Sequence, residues 1–138
     1  MTEAEAVARA SAEAMWADDA ASRGMGMALD AVGPGHAVLS MTIAPVMLNG
    51  LGLCHGGFIF SLADSAMAFA SNSRGQAAVA QHCSVTFVRP GRRGERLVAE
   101  ATERSRHGRS GIYDVRVTGQ DGTTVAEFRG HTVIMAKR

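Results

Sequence analysis

The 138-residue chain is short of several things at once: it has two cysteines, three prolines, one Trp, one Tyr and five Phe, and its net charge is only +1. Each shortage excludes something. Near-neutrality argues against a dedicated nucleic-acid binder, which carries a strong basic excess. Cys54 and Cys83, with no CxxC spacing, are too few for a disulfide framework and read as reduced cytoplasmic thiols. The most apolar stretch, 56–70, is too short to span a bilayer and contains Asp64. The opening Met1-Thr2-Glu3-Ala4-Glu5 carries acid where a secretory leader needs positive charge. A cytoplasmic protein with no membrane or nucleic-acid partner is therefore expected. There is no GxGxxG and no P-loop. The five histidines (36, 55, 82, 107 and 131) show no metal-ligand spacing, so no metal or cofactor is expected.

What the chain does have is a core. Its residues are 46% hydrophobic and 20% charged, which is incompatible with disorder, and its length suits a single domain over 1–138. Residues 2–21 are Ala-rich, with Glu3 and Glu5 in the first turn, and predict a helix stopped near Gly24 and Gly26. Met25–Val32 and His36–Ile43 predict strands; in the second, Ala37, Leu39, Met41 and Ile43 alternate onto one face, and Pro45 ends it. The segment Gly56–Ser73, GGFIFSLADSAMAFASNS, is apolar nearly all round and predicts a buried helix. Four strands are predicted after it: Ala77–Val88, Arg96–Glu103, Ser110–Gly119 and Thr123–Met135, with a hairpin turn at Asp121-Gly122. One apolar helix followed by a run of strands implies α+β, with an antiparallel sheet wrapped around the helix.

Asp64 is the only charged residue between His55 and Ser73. A carboxylate in an apolar helix is costly unless it is paired or useful, and burial would raise its pKa toward that of a general base or nucleophile. The bland alternative is an acid satisfied by Ser65 or nearby backbone. Cys54-His55-Gly56-Gly57 begins the same helix, where unpaired N–H groups and the positive end of the dipole can stabilise a developing oxyanion. The two glycines equally permit tight packing. Asn49 can hold a water or a carbonyl, or simply build an Asn-Gly turn. Gly56 and Asp64 are eight residues apart, about 12 Å along a helix. One substrate carbon cannot sit against both in one chain, so if both act, a homodimer must share its sites. Finally, seven arginines (89, 92, 93, 96, 104, 106 and 109) face only Glu95, Glu100 and Glu103 in a window of net charge +4. They suit phosphate contacts or form a solvated rim.

The stretch N-x6-GG-FIFSLADSAMAFASNS from Asn49, with His55 before the glycines, resembles the hotdog-fold acyl-CoA thioesterases, and within them the phenylacetate-degradation subfamily. Phe87-Val88-Arg89-Pro90-Gly91, Gly111-Ile112-Tyr113-Asp114-Val115 and Val125–Gly130 extend the resemblance, in order, over nearly the whole chain. The resemblance implies a six-stranded antiparallel sheet around the central helix (about 56–73), and a homodimer with a continuous sheet, usually paired into a tetramer. It implies an acyl-CoA substrate, aryl-acetyl by subfamily, hydrolysed without a cofactor. Gly56 would then donate its N–H to the thioester oxygen. The partner's carboxylate, equivalent to Asp64, would be base or nucleophile, and Asn49 would position water or carbonyl. His55 would shape the loop and Ser65 support Asp64, while Ala80 stands where some relatives carry a hydroxyl. Arg89, Arg106 and Arg109 are the expected contacts to the CoA phosphates. Two rival readings are a hotdog enoyl-CoA hydratase, disfavoured because no His closely follows Asp64, and a non-catalytic acyl-CoA-binding module.

Overall fold

The computed structural model describes residues 1–135. Helix α1 (Glu3–Asp18) opens with a capping box, in which the Thr2 hydroxyl accepts from the Glu5 N–H and the Glu5 carboxylate accepts from the Thr2 N–H. The single helix predicted to Ala21 is in fact broken: Asp19 leaves the helical path and caps a second, short helix, α2 (Ala20–Gly24), by accepting from the Ser22 N–H. Strands β1 (Ala28–Gly33) and β2 (His36–Thr42) follow, then a 3-10 turn at Pro45–Met47 and helix α3 (Gly56–Ser71). Asn72 closes α3. Its side-chain amide donates to the Ala68 and Ala78 carbonyls and its carbonyl accepts from the Ala78 N–H, tying the helix end to the next strand.

The remaining strands are β3 (Ala78–Phe87), β4 (Arg96–His107), β5 (Ser110–Thr118) and β6 (Thr124–Ile134). β4 outruns its predicted end at Glu103 because a bulge between Glu103 and Ser105 lets it stay paired with β5 up to His107 opposite Ser110. All strand pairs are antiparallel, in the order β1-β2-β4-β5-β6-β3. This is the α+β architecture that the sequence predicted, with the six-stranded antiparallel sheet that the resemblance implied.

Ala37, Leu39 and Met41 on the alternating face of β2, and Ile43 just beyond its end, are fully buried, as are Leu97, Ala99 and Ala101 of β4 and Val115 and Val117 of β5. Against them lie Ile59, Leu62, Ala63, Ala66, Met67, Phe69 and Ala70 of α3. Gly130 lets α3 come close, since a Cβ there would collide with the Met67 side chain. The sheet does not enclose α3 on every side, however. Phe58, Phe60, Ser61, Asp64, Ser65 and Ala68 keep part of their surface, and Gly57 is exposed. This uncovered strip adjoins β3, an edge strand on which Val79 and Phe87 are about half exposed, with Val88 just beyond it. Among the described residues, no helix is long and apolar enough to cross a membrane.

Candidate active site

The loop before α3 is organised by its own polar side chains. Asn49 Oδ1 accepts from the Leu51 and Leu53 N–H groups at 2.9 and 3.1 Å, and the Asn49 N–H donates to the Leu53 carbonyl. Its side-chain oxygen thus shapes the turn, while its NH2 has no hydrogen-bond acceptor among the described residues. His55 is the N-cap of α3, and its Nδ1 accepts from the Gly57 N–H at 2.9 Å. A ring accepting at Nδ1 carries its proton on Nε2 when neutral. The Gly56 N–H, at the first position of α3, has no hydrogen-bond partner among the described residues. The Phe87 ring lies over this glycine, so that a Cβ on Gly56 would be 2.9 Å from it.

Asp64 lies two turns along α3, half-buried and with no hydrogen-bond or ion-pair partner among the described residues. Desolvation raises its pKa above the ordinary carboxylate value. Ser65 does not satisfy it. The Ser65 hydroxyl instead meets Ser22 Oγ at 2.8 Å, and Ser22 Oγ donates to Asp19 Oδ2 at 2.7 Å. Cys83 of β3 is a neighbour that sequence reasoning passed over as a bland thiol. Its pKa is pushed up by burial and by the Asp64 charge, which places it within electrostatic reach of the carboxylate. Counting the alternation outward along β3 toward α3 would have found it. Ala80 is exposed near the start of the same strand.

The predicted phosphate ligands are separated. Arg89 stands at the Gly56 end of α3. Arg106 and Arg109 gather with Ser71 and Ala78 at the other end, roughly 20 Å away along the helix. Arg109 donates twice to the Ile134 carbonyl, and Arg106 donates to Gln76. Arg89 is fully engaged by Thr123, the Pro90 carbonyl, Glu95 and Asp121. Among the described residues, no group of three or more His, Cys, Asp or Glu side chains is placed to hold a metal ion.

An unpaired carboxylate on a central helix, an open N–H at that helix's head and a six-stranded antiparallel sheet behind it agree with the sequence family: residues 51–126 match the thioesterase superfamily, and the chain belongs to it. It is a thioester hydrolase. Among its relatives, it is 45% identical over 119 residues to the acyl-coenzyme A thioesterase PaaI of Escherichia coli, covering 86% of this chain and 85% of that protein. The structure of the E. coli PaaI protein from the phenylacetic acid degradation operon superposes with a TM-score of 0.95 at 41% identity, over 97% of each chain. A Streptococcus mutans protein bound to acetyl CoA superposes at 0.77 with 27% identity, over 81% of this chain and 90% of its own.

Proposed function

We propose that this thioesterase hydrolyses an aryl-acetyl thioester of coenzyme A, phenylacetyl- or hydroxyphenylacetyl-CoA, to the free acid and CoA in the breakdown of phenylacetate. The observation that carries the reading is the unpaired, desolvated Asp64 on the same helix as the unpartnered Gly56 N–H. The names of the E. coli relatives and the acetyl CoA held by the S. mutans protein support the substrate class.

The Gly56 N–H donates to the thioester carbonyl oxygen, aided by the positive end of α3. Asp64 then has two routes. As a base it takes a proton from the water that attacks the carbonyl carbon. As a nucleophile it attacks first, and water releases the acid from the resulting anhydride. In both, the C–S bond breaks and the CoA sulfur leaves as thiolate and takes up a proton. Asn49 orients the water or the carbonyl through its free NH2, His55 holds the loop that presents Gly56, and Ser65 fixes the helix face beside Asp64. No metal or cofactor is called for.

Gly56 and Asp64 are about 12 Å apart on one helix, so each site takes its Asp64 from a partner chain. The open edge of β3, with Val79 and Phe87 exposed, suits such a homodimer, and the dimers pair into a tetramer. In this arrangement Arg106 and Arg109 serve the site to which their own chain lends Asp64, and Arg89 frames the site of its own Gly56. The compartment is the cytoplasm, which suits the two free thiols Cys54 and Cys83.

A free-thiol assay on a panel of aryl- and alkyl-CoA esters tests the reading. Aryl-acetyl esters are expected to turn over fastest, and Asp64→Asn or Asp64→Ala to lose nearly all kcat while the fold survives. Wild-type kcat in either variant would remove Asp64 from the chemistry. Binding without thiol release would make the protein an acyl-CoA-binding module, and hydration of crotonyl-CoA would make it a hydratase.

A further inference from the structure

Two of the five histidines, far apart in the chain, are brought together by strand register. His82 of β3 stands directly opposite His131 of β6. Their ring centroids are 5.5 Å apart and the ring planes are inclined by 71°. His36 and His55 are engaged elsewhere, by Glu100 and by the Gly57 N–H. His82 and His131 are both exposed, and among the described residues neither ring has a hydrogen-bond or ion-pair partner.

The pairing depends on a bulge in β3. Before it, Ala80 faces the buried Thr132; after it, His82 faces His131, and Gln81 is the extra residue. With regular pairing, Gln81 would stand opposite His131 and His82 would turn to the other face, because a shift of one residue reverses every side chain that follows. The next pair in register, Cys83 and Gly130, looks the other way: Cys83 feels the Asp64 charge, and a Cβ on Gly130 would meet Met67 of α3. The two imidazoles therefore project from the face of the sheet opposite α3, away from Asp64.

Their spacing suits one shared ion. A histidine nitrogen binds Zn²⁺ at about 2.0–2.1 Å, which puts the ring centre about 3 Å from the metal, so two rings on one tetrahedral ion have centres about 5 Å apart. Imidazole is a ligand for Zn²⁺, Cu²⁺ and Ni²⁺, whereas Mg²⁺ takes oxygen. No third His, Cys, Asp or Glu joins the pair among the described residues, so water completes the coordination. Arg129, two residues along β6 on the same face, is neutralised by Asp114 at 2.6 and 2.9 Å and does not oppose a dication.

We propose that His82 and His131 form a two-imidazole site for a transition-metal dication of the Ni²⁺, Cu²⁺ and Zn²⁺ group, and that the bound ion clasps the edge strand β3 to β6. The ion takes no part in thioester hydrolysis, which belongs to the opposite face of the sheet. It binds only where the two strands are paired, so it stabilises the folded chain.

The test uses tag-free protein and Ni²⁺ as the probe. Calorimetric titration is expected to show one Ni²⁺ per chain and no binding of Mg²⁺. His82→Gln and His131→Gln should each lower the affinity about tenfold or more, because the second imidazole otherwise adds at high effective concentration. Saturating Ni²⁺ should raise the Tm of the wild type and leave that of either variant unchanged. His107→Gln and Cys83→Ser should bind Ni²⁺ as the wild type does. A measurement on the unaltered chain does not depend on how the variants fold: Ni²⁺ should protect His82 and His131, but not His107, from carbethoxylation by diethyl pyrocarbonate, read by peptide mass spectrometry. The proposal is overturned by an absence of saturable binding in the wild type, by full affinity in either of the first two variants, by loss of binding in His107→Gln or Cys83→Ser, or by equal modification of His82 and His131 with and without the ion.

Discussion

Burial disfavours the ionised form of Asp64, and that has two consequences with opposite signs. Desolvation raises its folded-state pKa above the unfolded value, so the folded protein holds the proton more tightly. The penalty is absent below the unfolded pKa, about 4, grows as pH rises through the folded pKa, and is fully present above it. Asp64→Asn is therefore expected to raise Tm by a few degrees at pH 7 and to lose that advantage near pH 3, as followed by thermal denaturation. In the wild type, kcat/KM should fall on the acid side with a midpoint above the ordinary carboxylate value; a midpoint at or below about 4 would count against Asp64 as the titrating group. Gly56 is the second sensitive residue. Its alanine variant places a methyl against the Phe87 ring, and kcat/KM for the CoA ester should drop at least tenfold. Adding Phe87→Leu should recover part of the loss; no recovery would mean that the methyl disturbs the helix cap and not the ring above it.

At the scale of elements, α3 is held by the N-terminal helices as well as by the sheet. Trp16 packs on Phe69 with ring centroids 6.0 Å apart. Beside it, the chain Asp19–Ser22–Ser65 crosses from the start of α2 to α3, with Ser22 almost wholly buried. Ser22→Ala leaves Ser65 without its partner and should destabilise by about 1–2 kcal/mol in denaturant unfolding. The Ser22→Ala/Ser65→Ala pair should cost less than the sum of the singles, because both remove the same bond. Full additivity would show that the two hydroxyls do not interact. On the outer face of the sheet, Arg129 and Arg104 hold the Asp114 carboxyl down to about 2. The stability this pairing contributes is complete above the unfolded pKa of about 4 and is lost as pH falls toward 2.

At the scale of the whole molecule, the strip of α3 carrying Asp64 and the free edge of β3 form one incompletely covered surface. A shared site makes a distinctive kinetic forecast. Asp64→Ala chains and Gly56→Pro chains should each be inactive alone. Mixed after reversible dissociation, they should regain part of the wild-type rate, since half of the sites in each heterodimer combine an intact Gly56 with an intact Asp64. Native mass spectrometry, which resolves the two variant chains by mass, confirms that the mixed species forms. If heterodimers form and stay inactive, Gly56 and Asp64 do not share a site across chains.

The α+β order, the helix from Gly56 and the inward face of β2 were legible in the sequence because each rests on local periodicity: alternation along strands, and an apolar run bounded by glycine. Asp64 was legible because a lone charge in such a run stands out without any three-dimensional information. The break at Asp19 was not, since an Ala-rich segment favours continued helix and only the buried bond to Ser22 and Ser65 shows what the turn achieves. Nor could composition sort seven arginines. Charge counting treats them alike, whereas folding spends Arg89 on Glu95 and leaves Arg92 and Arg93 without an ion-pair partner among the described residues. The sequence by itself determined the order of strands around one apolar helix and which residues are candidates for the chemistry, because these depend on neighbours a few positions apart. Only the tertiary structure decided which donors and charges remain unpaired and at which end of α3 they stand, because pairing depends on strands brought together from distant parts of the chain.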